Sequence, residues 1–262
     1  MADRPIIFSA QMVHALLSGR KTQTRRILNP QPPTPEQFRG SIFGMERAVA
    51  DGLKMYSQND YDRLPKHPSK WELIGSVGVA RDAGFPKIYD ARYALGDRLW
   101  VRESLRFDWA SNDWLYTADN AICVDVVGTE LETPTRDRWP RGVAPSIHMP
   151  RVLSRLTLIV ESVKVERLQE ISEDDVKAEG LRCLSKDGGR VYKWGIPDAD
   201  GLPGNDSGGD HWQMWCVGHR PAFAALWDRL HGPDAWTANP WVCAIGFRVI
   251  RANIDSEEAK AA

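Results

Sequence analysis

The stretch from Arg155 to Leu168, RLTLIVESVKVERL, is the longest strand candidate in the chain and constrains the fold most. Leu156, Leu158 and Val160 share one parity, whereas Val163 and Val165 share the other. Side chains alternate faces along a strand, so this switch would turn half of the apolar set to solvent. One extra residue near Glu161–Ser162, a bulge or bend, restores a single buried face. The framework is therefore a β-sheet built around a long, bent strand.

Other segments supply its partners. PIIFS (5–9) reads as a short strand, and Ser9 can cap a helix over 10–18 with Met12, Val13, Leu16 and Leu17 on one stripe, closed by Gly19. Leu99 and Val101 alternate in GDRLWVRES after a Gly96–Asp97 turn, and WLYTAD is a following strand. ISEDDVKAEG carries a capping box, Ser172 with Asp175, and ends at Gly180. PAFAALWDRLHG is helical, with Phe223, Leu226, Trp227 and Leu230 on one face, and Trp241, Cys243, Ile245, Phe247 and Val249 alternate in the closing strand. NPQPPTPEQ cannot continue a helix or a central strand, so it opens a loop-rich insertion at 29–95, and glycines mark a second, mobile one at 185–210. Strand, helix, several strands, two helices, strand is an α+β order, expected as one domain over 1–262: a small curled or closed sheet with flanking helices.

A hydrophobic content of 42% in 262 residues is ample for a core, and 34 basic against 35 acidic residues leave no global field toward nucleic acid or membrane. Any anion binding is then local. Cys123, Cys183, Cys216 and Cys243 form no CxxC pair, no run approaches a membrane span, and MADRPIIFSA is too short in apolar length for a signal peptide, so a cytoplasmic location is expected. Local charge does concentrate in SGRKTQTRR, with Arg20, Lys21, Arg25 and Arg26 around Thr22 and Thr24. From the residues alone this is either a solvated face at a helix end or the wall of a cleft. Lys21 and Thr24, three apart, would lie on opposite faces of a regular strand, and they meet only if Lys21 belongs to the helix exit. Glu179 sits in the last turn of its helix, where the macrodipole disfavours a carboxylate. It either bridges to Arg182 or is aimed at a cation, for which Lys21 is the obvious candidate.

LLSGRKTQTRR, GDRLWV and LQEISEDDVKAEGL together resemble the ASCH-domain family of the PUA-like superfamily, and RPIIFSAQMVHALLSGRKTQTRR, SIHMPR and NPWVCAIGF resemble its longer phage and prophage members. The resemblance covers roughly half the chain and implies a PUA-like β-barrel. It also implies chemistry, because small bacterial members are amidohydrolases that remove acetate from N4-acetylcytidine. Carried across, it makes Thr24 the nucleophile, Lys21 the base and Glu179 the residue that orients the lysine. A nucleoside or single-stranded RNA is the implied partner, with no cofactor. Arg20, Arg25, Arg26, His148 and Arg151 are the expected polar contacts. Trp100, Tyr116 and Trp241 are expected to stack on a base. The alternatives are a non-catalytic reader of RNA or of a modified base, and a ribonuclease. His211, Cys216 and His219 are zinc-ligand types without a fourth ligand at diagnostic spacing, and no metal is expected.

Overall fold

A computed structural model describes residues 2–32, 54–57, 70–74, 88–123, 139–204 and 208–261. Its strands are β1 (Asp3–Ile7), β2 (Gln23–Ile27), β3 (Lys54–Ser57), β4 (Lys70–Ile74), β5 (Ile88–Asp90), β6 (Arg98–Arg102), β7 (Leu105–Asp108) and β8 (Asp113–Tyr116). They continue with β9 (Val143–Ala144), β10 (Thr157–Arg167), β11 (Arg182–Leu184), β12 (Lys193–Gly195), β13 (Cys216–Val217) and β14 (Trp241–Ile250). The α-helices are α1 (Ala10–Leu17), α2 (Glu173–Ala178), α3 (His219–His231) and α4 (Glu257–Ala261).

The principal sheet has the order β1-β6-β10-β14-β2, so PIIFS, GDRLWV, the long strand and the closing strand share one sheet, whereas WLYTAD enters β8 of a separate sheet with β7 and β9. β1 runs parallel to β6, and the remaining pairs are antiparallel. The sheet is open among the described residues, with β1 and β2 at its edges. Its long strand behaves as its parity requires. The β10–β14 register slips between Val160 and Ser162, and Leu158, Val160 and Val165 all end in the core. Gly246 faces that bulge, where a Cβ would stand 2.2 Å from Ser162 Oγ. A larger residue at 246 would force the Ser162 hydroxyl to move.

α1, α2 and α3 bury their apolar faces in the same core, through Val13 and Leu16, Val176, and Phe223, Leu226 and Trp227 respectively. The capping box of α2 is formed, with the Asp175 backbone N–H donating to Ser172 Oγ at 3.1 Å. Ser9 stands at the N-terminus of α1 in extended conformation, but its side chain makes no capping bond. β14 differs from simple alternation. Val242 and Ala244 are buried as well as Trp241, Cys243 and Ile245, because the strand lies inside the sheet and is covered on both faces.

Both insertions contain more regular structure than their composition suggests. Within 29–95 the backbone of β3, β4 and β5 forms an antiparallel sheet; positions 33–53, 58–69 and 75–87 of that insertion lie outside the described residues. Within 185–210, β12 pairs with β11 and β13, and Trp194 and Ile196 enter the main core. Gly195 serves close approach, since a Cβ there would lie 2.5 Å from the Trp215 ring. A smaller cluster under β7, β8 and β9 gathers Leu105, Phe107, Tyr116 and Met149.

Candidate active site

The site begins where α1 ends. Gly19 takes φ +72°, a left-handed conformation that closes the helix, and the Lys21 backbone N–H then donates back to Ala15 O at 3.0 Å. Thr22 N–H donates to Ala178 O at 2.9 Å, which ties the turn to α2 before β2 starts at Gln23. Lys21 therefore belongs to the helix exit and Thr24 to the strand, the arrangement that lets them face one space. Gly180 brings the second wall close. It has φ +103°, and a Cβ there would meet the Ala15 Cβ at 3.0 Å and the Lys21 Cβ at 3.5 Å. Only glycine allows the end of α2 to press on the end of α1, and that contact delivers Glu179 to Lys21.

Lys21 is 1% exposed. Its Nζ donates to Glu179 Oε2 at 2.7 Å and to the Glu179 carbonyl at 2.9 Å. An ammonium has three donors, so one position remains beyond these two. Burial pushes the Lys21 pKa down, Glu179 opposes this, and the Arg26 and Arg25 charges push it down further; the net direction is down. Arg25 is equally buried. Its Nη2 lies 2.6 Å from Glu166 Oε1 and 3.1 Å from Asp175 Oδ2, and its Nη1 lies 3.3 Å from Glu179 Oε1. Three carboxylates thus balance Lys21 and Arg25, so the expected cationic cleft is close to neutral at its floor. Arg25 is a clamp between β2, β10 and α2, and its guanidinium is not available as a phosphate grip.

Lys21, Thr24, Arg25, Arg26 and Glu179 line a cavity of about 210 Å³. The rest of the lining is largely apolar: Phe8 just before α1, Met12 within it, and Phe223, Leu226 and Trp227 from α3. Drug-sized ligands occupy about 300–1,000 Å³. This cavity therefore holds a single ring or an acyl group and not a whole nucleotide. Sequence reasoning missed the α3 wall, although the apolar face of that helix was plain, because nothing local says that part of a core face borders a hole. His231 at its end also lines the cavity, with its ring 4.1 Å from that of Trp227. Burial, and then Arg26, lower its pKa, which favours the neutral imidazole. The Trp227 Nε1–H is buried without a hydrogen-bond partner among the described residues.

The other expected contacts lie elsewhere. Tyr116 donates its hydroxyl to Leu153 O at 2.7 Å, and the Arg155 guanidinium covers its ring at 3.9 Å. Trp100 and Trp241 are buried under Arg102 and Arg167, at 4.9 and 4.6 Å. None of the three borders the cavity, so none offers it a stacking face. Arg151 joins Asp3 and Asp255, each at 2.6 Å, and ties the N-terminal strand to the C-terminal segment. His148 is exposed and packs near Trp139, at 4.8 Å between rings. Arg20 stays outside the cavity, beside Arg182 and Asp200. Among the described residues no group of three or more His, Cys, Asp or Glu side chains is placed to hold a metal ion, and His219 packs against Trp194 instead. No helix among them is long and apolar enough to cross a membrane.

Asp175 supports the site from the edge. Burial would raise its pKa, but bonds from the Ser172 backbone and hydroxyl, from Gln23 and from Arg25 outweigh that and hold it at about 2. Its folded value lies below the ordinary 3.8, so its contribution to stability is complete above about pH 5 and is lost as pH falls from about 4 to about 2. Asp175→Asn is expected to cost about 1–2 kcal/mol at neutral pH. Urea unfolding at pH 7 and at pH 3 should show the gap between variant and wild type narrowing at the lower pH.

Comparison of the chain with protein-family models, with curated proteins and with solved structures finds no match.

Proposed function

We propose that this chain is an ASCH-type protein of PUA-like descent that hydrolyses an N-acyl amide on the exocyclic nitrogen of a cytidine. The observation that carries the reading is the buried Lys21–Glu179 pair, 2.7 Å apart, lining with Thr24 a cavity the size of one ring. A structural ion pair alone gives no reason to place a buried lysine and a hydroxyl around one hole. An amide hydrolase needs those two groups, as base and nucleophile.

The chemistry follows from the protonation states. Thr24 Oγ1 attacks the acyl carbon while its proton passes to the neutral Lys21 amine. The acyl oxygen gains charge as the tetrahedral intermediate forms. Collapse breaks the C–N bond, and the proton held by Lys21 goes to the leaving exocyclic amine. Water then attacks the threonyl ester, giving a proton to Lys21, which passes it to Thr24 Oγ1 as the Oγ1–C bond breaks and acetate departs. Glu179 orients the lysine through two bonds to one residue, side chain and carbonyl. The open five-stranded sheet with helices packed on it is compatible with this descent, and the motif resemblance supports it. The stacking reader is the weaker reading, since Trp100, Tyr116 and Trp241 all have their rings covered.

The base must be neutral to act, so the rate rises with pH through the Lys21 pKa. Glu179 holds that pKa up against burial. Glu179→Gln removes the opposing charge, so it should slow turnover and move the rising limb to lower pH. Rate profiles of N4-acetylcytidine hydrolysis for both proteins test this. A limb that stays in place or moves to higher pH would remove Lys21 from the role of base.

A further inference from the structure

Helix α3 carries a row of rings that runs from the core to the mouth of the cavity. Phe223, Trp227 and His231 are four apart, so they follow one another along one face of the helix. Their centroids stand 6.0 and 4.1 Å apart, with the planes tilted by 36° and 35°. Phe223 and Trp227 are buried, His231 is exposed, and all three line the cavity. Leu226 and Leu230 repeat the pattern beside them, the first in the core and the second 53% exposed. Ile7, from β1, lines the same cavity and is 38% exposed.

His231 is the end ring of that row. Among the described residues it packs on Trp227, and its ring nitrogens make no hydrogen bond. The depth of the cavity decides what meets it. An acyl carbon has to reach Thr24 and Lys21, which are 5% and 1% exposed and form the buried end. Since the cavity holds an acyl group or one ring and not a whole nucleotide, the ring that bears the acyl nitrogen is left at the exposed end, with Ile7, Leu230 and His231. Two aliphatic side chains cover apolar surface of any shape, whereas an imidazole gains from stacking only on a flat π-system.

We propose that the base of the substrate stacks on the face of His231 turned away from Trp227, as the next ring of the Phe223–Trp227–His231 row, and that this histidine positions the base while the acyl group reaches Thr24. The proposal rests on the reading of the cavity as a cytidine site, yet it concerns binding and holds whether or not the amide is cut. Stacking asks only for a π-face, which every base has, so His231 sets the affinity for a planar ring and not the choice among bases.

The test uses cytidine, which carries no acyl group, so that binding is read apart from hydrolysis. Titration calorimetry compares the wild type with His231→Phe, which keeps a flat ring, His231→Gln, which keeps hydrogen-bonding groups without a ring, and His231→Ala. The Phe variant should bind cytidine within about twofold of wild type, and the Gln and Ala variants about fivefold or more weakly. The position is exposed at the end of α3, and melting curves close to wild type confirm that each variant is folded. An Ala or Gln variant with wild-type affinity, or a Phe variant as weak as the Ala variant, would overturn the stack. Absence of cytidine binding by the wild type would overturn both the stack and the reading of the cavity as a cytidine site. The expected pattern of affinities without hydrolysis in any of the proteins would support the stack and overturn only the catalytic reading.

Discussion

Replacing Arg25 by methionine is expected to destabilise the fold by about 3–5 kcal/mol, the cost of breaking a buried ion pair by removing one partner. The guanidinium is 1% exposed and serves Glu166, Asp175 and Glu179 at once. Glu166 is itself 2% exposed, with Lys164 as its other cation. Without Arg25, carboxylates from β10 and α2 stay in a dry space with too little positive charge. For a chain of this size the loss corresponds to a melting temperature lower by roughly 6–20 °C. The double variant Arg25→Met/Glu166→Gln should recover part of it, because the second change removes the most buried of the stranded charges. Arg26→Met, which breaks no ion pair among the described residues, should cost much less. Equal losses at 25 and 26 in thermal or urea unfolding would contradict the clamp.

The second large effect is catalytic. Thr24→Ala and Lys21→Met should each lower kcat for N4-acetylcytidine by about 10²–10⁴, the usual worth of a positioned nucleophile's base and its acceptor. The two act as one unit, so the double variant should lose little more than the worse single one. Lys21→Met leaves Glu179 with Arg25 at 3.3 Å, so the carboxylate keeps a cation, and folding can be confirmed separately by its melting curve. Losses that multiply in the double variant would show that the residues act independently, and the proton transfer between them would have to be abandoned.

Much of this site was written in short-range signals. The parity switch in 155–168 required the bulge that lies between Val160 and Ser162, and Ser172 with Asp175 required the cap of α2. The carboxylate in the wrong turn of its helix found Lys21, 158 positions away, because a sequence optimised for the helix alone would not keep Glu179 there. Arg25 could not be read in the same way. Its partners Glu166 and Asp175 are ordinary strand and cap residues by local pattern, and only the packing of β2 beside α2 turns a surface cation into a buried clamp. The aromatic residues failed for a related reason. Trp100, Tyr116 and Trp241 sit on strands, and a strand residue's exposure depends on what covers its face, which spacing does not record. The residues that do form the apolar wall, Phe223, Leu226 and Trp227, looked like core, and they are core on every side but one.

Acetate release from N4-acetylcytidine, followed with purified wild type and Thr24→Ala in parallel, tests the central claim most directly. Steady turnover by the wild type and a loss of at least about a hundredfold in the variant, with both proteins melting at similar temperatures, is the expected result. The same negligible release from both, alongside the same measurable affinity for cytidine or RNA, would contradict hydrolysis and leave the cavity as a binding pocket.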